Sequence, residues 1–267
     1  MNWKTGTCIV FALTMIAVSV IGYINGSFAP ILAGVSHSLP DRQLLSYVCN
    51  ALLLACGAGL LVRRTATSAA IVLLVYLIIW TVLFKLPFII HAPLVEVSYQ
   101  TTGENLVLVA AAWVLWCEGA NGKIAVSGNT GLRIAYLLYG LALIAFGFSH
   151  FAYLNLTAPL VPAWLGPGVF WAYLTGCIYL ATGVMLATGF AARLGATLAA
   201  LQILLITVLV WVPIVAAGNL SAMHWQETVV SCALTAAALV VAASFDDRGW
   251  FAPLRSPLPH PRAAAAQ

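Results

Sequence analysis

Charged side chains are rare in this chain, and three of them stand where they could do chemistry within apolar segments. Glu104 and Glu227 each open a long apolar run, and Lys85 lies in another, about one helical turn before its end. A lysine in such a segment costs free energy unless it pairs or reaches the membrane interface. A carboxylate beside an ammonium group can hold a polar ligand and exchange a proton with it. These three residues predict a ligand site near one end of a helix bundle.

Structural roles for the same charges stay open at this point. An acidic residue in the first turn of a helix is stabilised by the helix dipole, so Glu104 and Glu227 would need no ligand. Lys85 could extend its side chain to the lipid headgroups instead of pairing. Pairing with Glu104 or Glu96 at the mouth of a cavity is the functional alternative.

Three histidines near the ends of apolar runs extend the candidate site. Histidine can donate a hydrogen bond to a quinone carbonyl or ligate haem iron. His91, His150 and His224 show no i, i+4 pair on one helix, which favours a quinone-like ligand over haem and predicts no metal site. Catalytic residues stay unassigned. The candidate ligand-binding residues are Lys85, His91, Glu104, His150, His224 and Glu227.

The composition indicates which elements must position these residues. The chain is 63% hydrophobic and 7% charged, with a mean hydropathy of +1.03, whereas soluble domains carry about 25% charged residues. Continuous apolar runs of about 20 residues indicate membrane helices rather than barrel strands. We therefore expect an all-α integral membrane protein. Its eight helices are predicted at residues 6–25, 44–62, 68–90, 102–118, 132–152, 169–188, 194–215 and 227–244.

The chain also contains an internal repeat. Residues 54–89 and 180–215, which are 126 positions apart, share 10 identities in 36 positions, including the pairs Gly57 and Gly183, and Pro87 and Pro213. Such self-similarity indicates a duplicated structural unit. We predict one four-helix repeat in residues 1–120, a second in residues 121–245, and a cytoplasmic tail in residues 246–267.

The basic residues predict how the helices are oriented. In an eight-helix arrangement, nine lysine and arginine residues fall on one side, and only Arg42 and Lys85 lie toward the other. The positive-inside rule then places both termini in the cytoplasm. Four helices per repeat give the two repeats the same orientation, as in parallel transporter repeats. The net charge of +4 reflects this bias, so no nucleic-acid partner is expected. The expected location is a cell membrane, the bacterial inner membrane.

Small residues and prolines predict local features of the bundle. Glycines such as Gly140 and Gly183 are expected where helices approach closely. Pro87 and Pro213, late in the third helix of each repeat, are expected to kink it or to interrupt its hydrogen bonding. The six cysteines form no CxxC pair, which is typical of small buried hydrophobic residues.

Several short motifs resemble the DoxX-like family of four-helix membrane proteins. They comprise Gly147-Phe148-Ser149-His150, Val161-Pro162-Ala163-Trp164, the turn Gly189-Phe190-Ala191-Ala192-Arg193, and Glu227. The first half is similar through Gly57, Gly59, Arg63-Arg64 and Gly103-Glu104-Asn105-Leu106, so the resemblance covers about residues 20–245. The lysine that often follows the family's histidine is missing after His150. Cys177-Ile178-Tyr179 stands where the family often has an acidic residue.

This resemblance implies a membrane subunit of an oxidoreductase, of the kind named for thiosulfate:quinone oxidoreductase. We therefore expect a redox-associated subunit that binds a quinone-like lipophilic ligand near the outer membrane face and meets a membrane or extracytoplasmic redox partner. The chain has no self-contained catalytic motif, so enzymatic activity of its own is left open. A transporter for a small metabolite and a membrane scaffold without ligand are the alternatives.

Overall fold

The computed structural model describes residues 3–32, 35, 39–120, 122–218, 221–246 and 248–254. All regular secondary structure in these residues is helical, as expected. Its eight helices of 20 residues or more are α1 (Trp3–Ile24), α2 (Arg42–Leu61), α3 (Ala66–His91), α4 (Glu96–Ala120), α5 (Asn129–Ala152), α6 (Gly168–Thr188), α7 (Ala192–Ala216) and α8 (Ala222–Ala243). Short helical turns in the connections span Pro30–Leu32, Ala125–Ser127, Leu154–Thr157, Ala158–Leu160 and Ala163–Leu165.

Seven of these helices in the described part of the chain are long and apolar enough to cross a membrane. The exception is α4, which has 25 residues but carries Glu96, Glu104 and Glu118 and a polar first half. The chain is therefore a helical protein of membrane type. The expected number of eight crossings depends on α4 and stays a prediction.

Corresponding helices begin at a constant distance along the chain. The first residues of α1 to α4 are Trp3, Arg42, Ala66 and Glu96, and α5 to α8 each begin 126 positions later. This is the same shift that aligns the repeated sequence. The four helices in each half therefore have closely matched lengths and connections.

The packing order of the helices is also the same in the two halves. Consecutive helices contact one another from α1 to α4, and again from α5 to α8. The halves meet where α1 packs on α8, α4 packs on α5, and α4 packs on α8. These central contacts bury every residue at positions 107–112 of α4, and α8 is the most buried of the seven apolar helices. Several polar residues of α4 and α8, among them Asn105 and Ser231, are consequently buried in the bundle.

Gly140 and Gly183 confirm the expected close helix packing. A Cβ atom added to Gly140 would lie 2.7 Å from the Gly183 carbonyl oxygen, and one added to Gly183 would lie 2.7 Å from the Gly140 carbonyl oxygen. No side chain fits between the two backbones. Small residues at such crossings let membrane helices approach closely enough for extensive van der Waals contact.

Both α3 and α7 contain a five-residue π-helical segment just before their prolines. The segments are Thr81–Lys85 and Thr207–Trp211. The Leu86 N–H donates to the Thr81 carbonyl, and the Val212 N–H donates to the Thr207 carbonyl, so each bond spans five residues. Pro87 and Pro213 follow one residue later, confirming the expected change in hydrogen bonding. Single π-helical turns of this kind frequently occur at functional sites.

The fourth and eighth helices begin earlier than the hydropathy pattern predicts. Apolar runs place their starts at residues 102 and 227, whereas the structure starts them at Glu96 and Ala222. The polar first turns of both helices explain the difference, because hydropathy detects only their apolar remainder. Of the expected tail, residues 246 and 248–254 are described, and Leu254 donates its N–H to the Gly189 carbonyl at 3.1 Å. Residues 247 and 255–267 lie outside the described part.

Candidate functional site

A cluster of charged residues lies where α3, α4 and α8 come together. Glu104 of α4 interacts electrostatically with Lys85 of α3, with Glu227 of α8 and with Glu96 at the start of α4. Lys85 ends the π-helical segment of α3, and its side chain is 3% exposed. Glu104 and Glu227 are half-buried. We call Lys85, Glu96, Glu104 and Glu227 the charged cluster.

The expected position of the two glutamates at helix starts is wrong. Glu104 lies eight residues after the first residue of α4, and Glu227 lies five residues after the first residue of α8. At 1.5 Å per residue, Glu104 stands about 12 Å along its helix from the end. Stabilisation by the helix dipole fades beyond the first turn and does not account for these positions.

The side chains around Glu104 follow one face of α4. Gln100 donates from Nε2 to Glu104 Oε1 at 3.4 Å, and Glu96 accepts a hydrogen bond at Oε1 from the Ser149 hydroxyl of α5. The other oxygen of Glu96, Oε2, is buried without a hydrogen-bond partner among the described residues. Residues 96, 100 and 104 are spaced i, i+4, i+8, which places them on one side of a helix. Gln100 was absent from the sequence-based candidates, although this spacing could have identified it.

The π-helical segment that carries Lys85 is held to α4 by hydrogen bonds. The Asn105 amide Nδ2 donates to the Leu77 carbonyl at 3.2 Å and to the Thr81 hydroxyl at 2.5 Å. Thr81 in turn donates to the Leu77 carbonyl at 2.8 Å. Buried polar side chains that bond across membrane helices fix how the helices pack. Asn105 therefore holds α3 at the turn where Lys85 joins the charged cluster.

A matching contact holds α7 to α8. The Thr207 hydroxyl donates to the Ile203 carbonyl at 2.9 Å and lies 2.6 Å from the Ser231 hydroxyl and 2.8 Å from the Thr235 hydroxyl. Thr207 and Ser231 stand 126 positions after Thr81 and Asn105. The two threonines align in the internal repeat, but no role was predicted for them from the sequence. Their identity at the shift of 126 could have indicated a common structural role.

The three candidate histidines occupy different places, and the rings of His91 and His150 each bond to a carbonyl of their own helix. His91 is exposed and bonds through Nδ1 to the Pro87 carbonyl at 2.7 Å. His224 lies one turn before Glu227 on α8, and its backbone N–H donates to the Ser221 hydroxyl at 3.1 Å. Its buried Nδ1 has no partner among the described residues. Of the three, His224 lies nearest to the charged cluster along the chain.

His150 belongs to a second, uncharged group of polar residues. Its Nδ1 bonds to the Phe146 carbonyl at 2.9 Å, and its ring centroid lies 5.2 Å from that of Tyr179 on α6. The Tyr179 hydroxyl is within hydrogen-bonding reach of Gln202 on α7, which donates from Nε2 to the Thr175 carbonyl at 3.1 Å. We call His150, Tyr179 and Gln202 the neutral cluster. Tyr179 and Gln202 were not predicted from the sequence, because the prediction selected charged residues and histidines and neither residue is ionised at neutral pH.

The chemistry open to these groups is binding and proton exchange. The charged cluster offers carboxylates as proton acceptors and an ammonium group as a hydrogen-bond donor. Among the described residues, no three His, Cys, Asp or Glu side chains come together in a way that could hold a metal ion. Every cysteine is a free thiol, two of them exposed at the bundle surface.

Comparison of the chain with protein-family models, with curated proteins and with solved structures finds no match.

Proposed function

We propose that this chain is a DoxX-like protein that crosses a bacterial inner membrane eight times, as two four-helix repeats with both termini in the cytoplasm. The constant shift of 126 between the starts of corresponding helices supports the duplication. Lys4, at the start of α1, lies 4.0 Å from Glu118, near the end of α4. This contact places the two helix ends together, as an even number of crossings between them requires. In this arrangement α4 counts as a crossing because its neighbours bury its polar residues.

The activity that we propose is the binding of a quinone-like lipophilic ligand at the charged cluster. The observation that carries the proposal is the convergence of Glu104 with Lys85, Glu227 and Glu96 from three helices. Ionisable residues inside a membrane bundle are costly, and they are typical of functional sites. The cluster lies in the outer half of the proposed arrangement, within reach of a headgroup that enters from the bilayer.

The residue types suit a quinone headgroup. The Lys85 ammonium is a hydrogen-bond donor for a quinone carbonyl, which only accepts. The carboxylates of Glu104 and Glu227 can supply or accept the protons that accompany reduction or oxidation of the ring. Electrons would come from a membrane or extracytoplasmic partner, which makes this chain a redox-associated subunit.

Binding of decylubiquinone to the purified chain in lipid nanodiscs tests this proposal. We expect Lys85→Met to weaken binding at least tenfold, because it removes the ammonium donor to the headgroup, and Glu104→Gln to do the same, because it removes the carboxylate charge that faces this ammonium group. Glu118→Gln, at the other end of the same helix, is the matched control and should bind as the unaltered chain does. Equal affinity of all variants in a folded state would contradict the proposal.

A second candidate function, transport of a small solute, is favoured by the paired π-helical segments. Discontinuities at corresponding positions of two repeats are a common feature of transporter binding sites. Three carboxylates against one ammonium group favour a cationic solute. Uptake of small amines by proteoliposomes that carry an internal pH dye tests this function. Amine-dependent proton movement that is lost in Glu104→Gln would favour transport over quinone binding.

A further inference from the structure

The neutral cluster contains a buried hydrogen-bond acceptor for which the described residues supply no donor. Gln202 is 7% exposed, and its Oε1 atom is buried with no hydrogen-bond partner among the described residues. Its Nε2 atom already donates to the Thr175 carbonyl of α6. A buried amide oxygen left unpaired destabilises the folded state, so such atoms in native proteins usually have a hydrogen-bond partner.

The tautomer of His150 adds a second acceptor. Because the Phe146 carbonyl can only accept a hydrogen bond, the His150 Nδ1 atom at 2.9 Å must carry the proton. In the neutral ring, Nε2 then has a lone pair to offer. His150 is half-buried, so its ring reaches the bundle surface between α5 and α6, while Tyr179 is 5% exposed.

Two aromatic rings lie beside the neutral cluster. Phe151 and Tyr173 lie beside His150 at the outer ends of α5 and α6, with ring centroids 5.8 Å apart. Gly176 lets α5 approach here, since a Cβ atom on it would come within 2.9 Å of the Phe151 ring and 3.1 Å of the His150 Cβ. Tyr173 is 48% exposed, which places its ring at the lipid-facing surface.

We propose that the neutral cluster is a second binding site, one that takes an uncharged, lipid-soluble molecule bearing a hydroxyl group. A hydroxyl donates to Gln202 Oε1 or to His150 Nε2, whereas a molecule with only carbonyl or ether oxygens cannot. The Tyr179 hydroxyl can both donate and accept a hydrogen bond. It can therefore form a second hydrogen bond with the hydroxyl oxygen of the ligand. The site therefore selects phenols, alcohols and quinols over quinones and ethers.

The first half of the chain lacks this site, which supports a specific role for it. At the repeat shift of 126, Leu53 and Tyr76 stand where the second half has Tyr179 and Gln202. The described helix α1 contains no histidine that could correspond to His150. The first half therefore lacks this set of three residues.

The test compares 4-decylphenol with 4-decylanisole, two probes of nearly equal size of which only the phenol has an O–H donor. The melting temperature of the purified full-length chain is measured with increasing amounts of each probe. A ligand that binds the folded state raises this temperature. We expect the phenol to raise it saturably and the anisole to leave it unchanged. Equal shifts with both probes would show simple partitioning of the alkyl chain and would overturn the proposal.

Substitutions identify the residues on which the rise in melting temperature with 4-decylphenol depends. Gln202→Leu and Tyr179→Phe should each weaken the apparent affinity for 4-decylphenol at least tenfold. Tyr76→Phe, at the equivalent position in the first half, should respond as the unaltered chain does. If Gln202→Leu fails to fold, Tyr179→Phe alone decides, because it keeps the ring and removes one hydroxyl. A normal response in Tyr179→Phe would overturn the assignment of the binding site to the neutral cluster.

The same variants separate this proposal from the binding of decylubiquinone at the charged cluster. Glu104→Gln should leave the response to 4-decylphenol intact. Loss of the response in Glu104→Gln, with retention in Tyr179→Phe, would move the phenol to the charged cluster and overturn the second site.

Discussion

The two four-helix halves of this protein have the same framework and different interiors. Both contain a π-helical segment before a proline in their third helix, and both hold it with a threonine, Thr81 or Thr207, bonded to the fourth helix. At the end of the segment, however, the first half has Lys85 and the second has Trp211, and both side chains are buried. The lysine contributes to a charged cluster, whereas its counterpart is apolar. The backbone irregularity is therefore independent of the charge that it carries.

The interiors differ in a complementary way. The first half supplies the only ammonium group of the charged cluster, and the second half contains the neutral cluster around Tyr179 and Gln202. The proposed duplication of one four-helix unit would account for the common framework. Divergence at a few interior positions would then give each half its own chemistry without changing how the helices pack.

The largest effect that we expect concerns the helix crossings. Gly183→Ala places a methyl group 2.7 Å from the Gly140 carbonyl oxygen. The backbones of α5 and α6 would have to separate to make room for it. Its counterpart Gly57→Ala meets the Ile16 side chain at 2.8 Å and the Ala12 carbonyl oxygen at 2.9 Å, so this crossing is slightly less tight. We expect losses in the free energy of unfolding of about 2–3 kcal/mol and about 1–2 kcal/mol, respectively.

Unfolding of both glycine variants in mixed micelles, followed by tryptophan fluorescence, measures this difference. Gly249→Ala, where the nearest atom would be 3.6 Å away, is the control and should change little. A greater loss in Gly57→Ala than in Gly183→Ala would reverse the expected ranking of the two crossings.

A smaller effect should distinguish the charged cluster from ordinary packing. Lys85→Met leaves Glu104 without its ammonium neighbour, so Glu104→Gln should be better tolerated in the Lys85→Met background than in the original chain. We expect a coupling energy of about 1–2 kcal/mol in a double-mutant cycle on the free energy of unfolding. Glu118→Gln, which affects a residue next to Lys4, should combine additively with Lys85→Met. Additive behaviour of Lys85 and Glu104 would remove the electrostatic basis of the cluster.

The smallest expected effect is the difference in stability between substitutions of the two threonines. Thr81→Val removes one of the two acceptors of the Asn105 amide, and we expect a loss of about 1 kcal/mol. Thr207→Val should cost about 0.5 kcal/mol, because the Thr235 hydroxyl keeps its bond to the Ser231 carbonyl at 2.9 Å. Thr188→Val, at an exposed residue bonded only within its own helix and the following turn, serves as the control. Equal losses at both sites would indicate that amide and hydroxyl partners are equivalent here.

The apolar framework could largely be predicted from the sequence. Predicted bounds of 68–90 and 194–215 match Ala66–His91 and Ala192–Ala216 closely, because the apolar runs end where the helices end. The first turns of α4 and α8 were missed since polar residues such as Thr101 and Gln226 hide them from hydropathy. A helix start that carries polar residues is not revealed by a search for apolar runs.

The candidate site was predicted in part. Lys85, Glu104 and Glu227 were chosen for their charge in apolar surroundings, and the fold brings these three together. His91 and His150 were chosen with them for similar depth, but depth does not fix the direction in which a side chain points around its helix. Gln202 could not be found in this way, because its contacts come from α6 and become visible only when three helices are packed.

The polarity of α4 has a consequence for how the chain enters the membrane. A glutamate near the middle of a helix opposes translocon-mediated insertion by about 2.5–3.5 kcal/mol, so α4 partitions poorly by itself. The bonds from Asn105 to α3 offer it a partner that has already been synthesised, whereas α5 and α8 arrive later. In the proposed eight-helix arrangement, α3 and α4 are therefore expected to enter the membrane together as a hairpin. A nascent chain halted before α8 would hold Glu104 in an incomplete bundle.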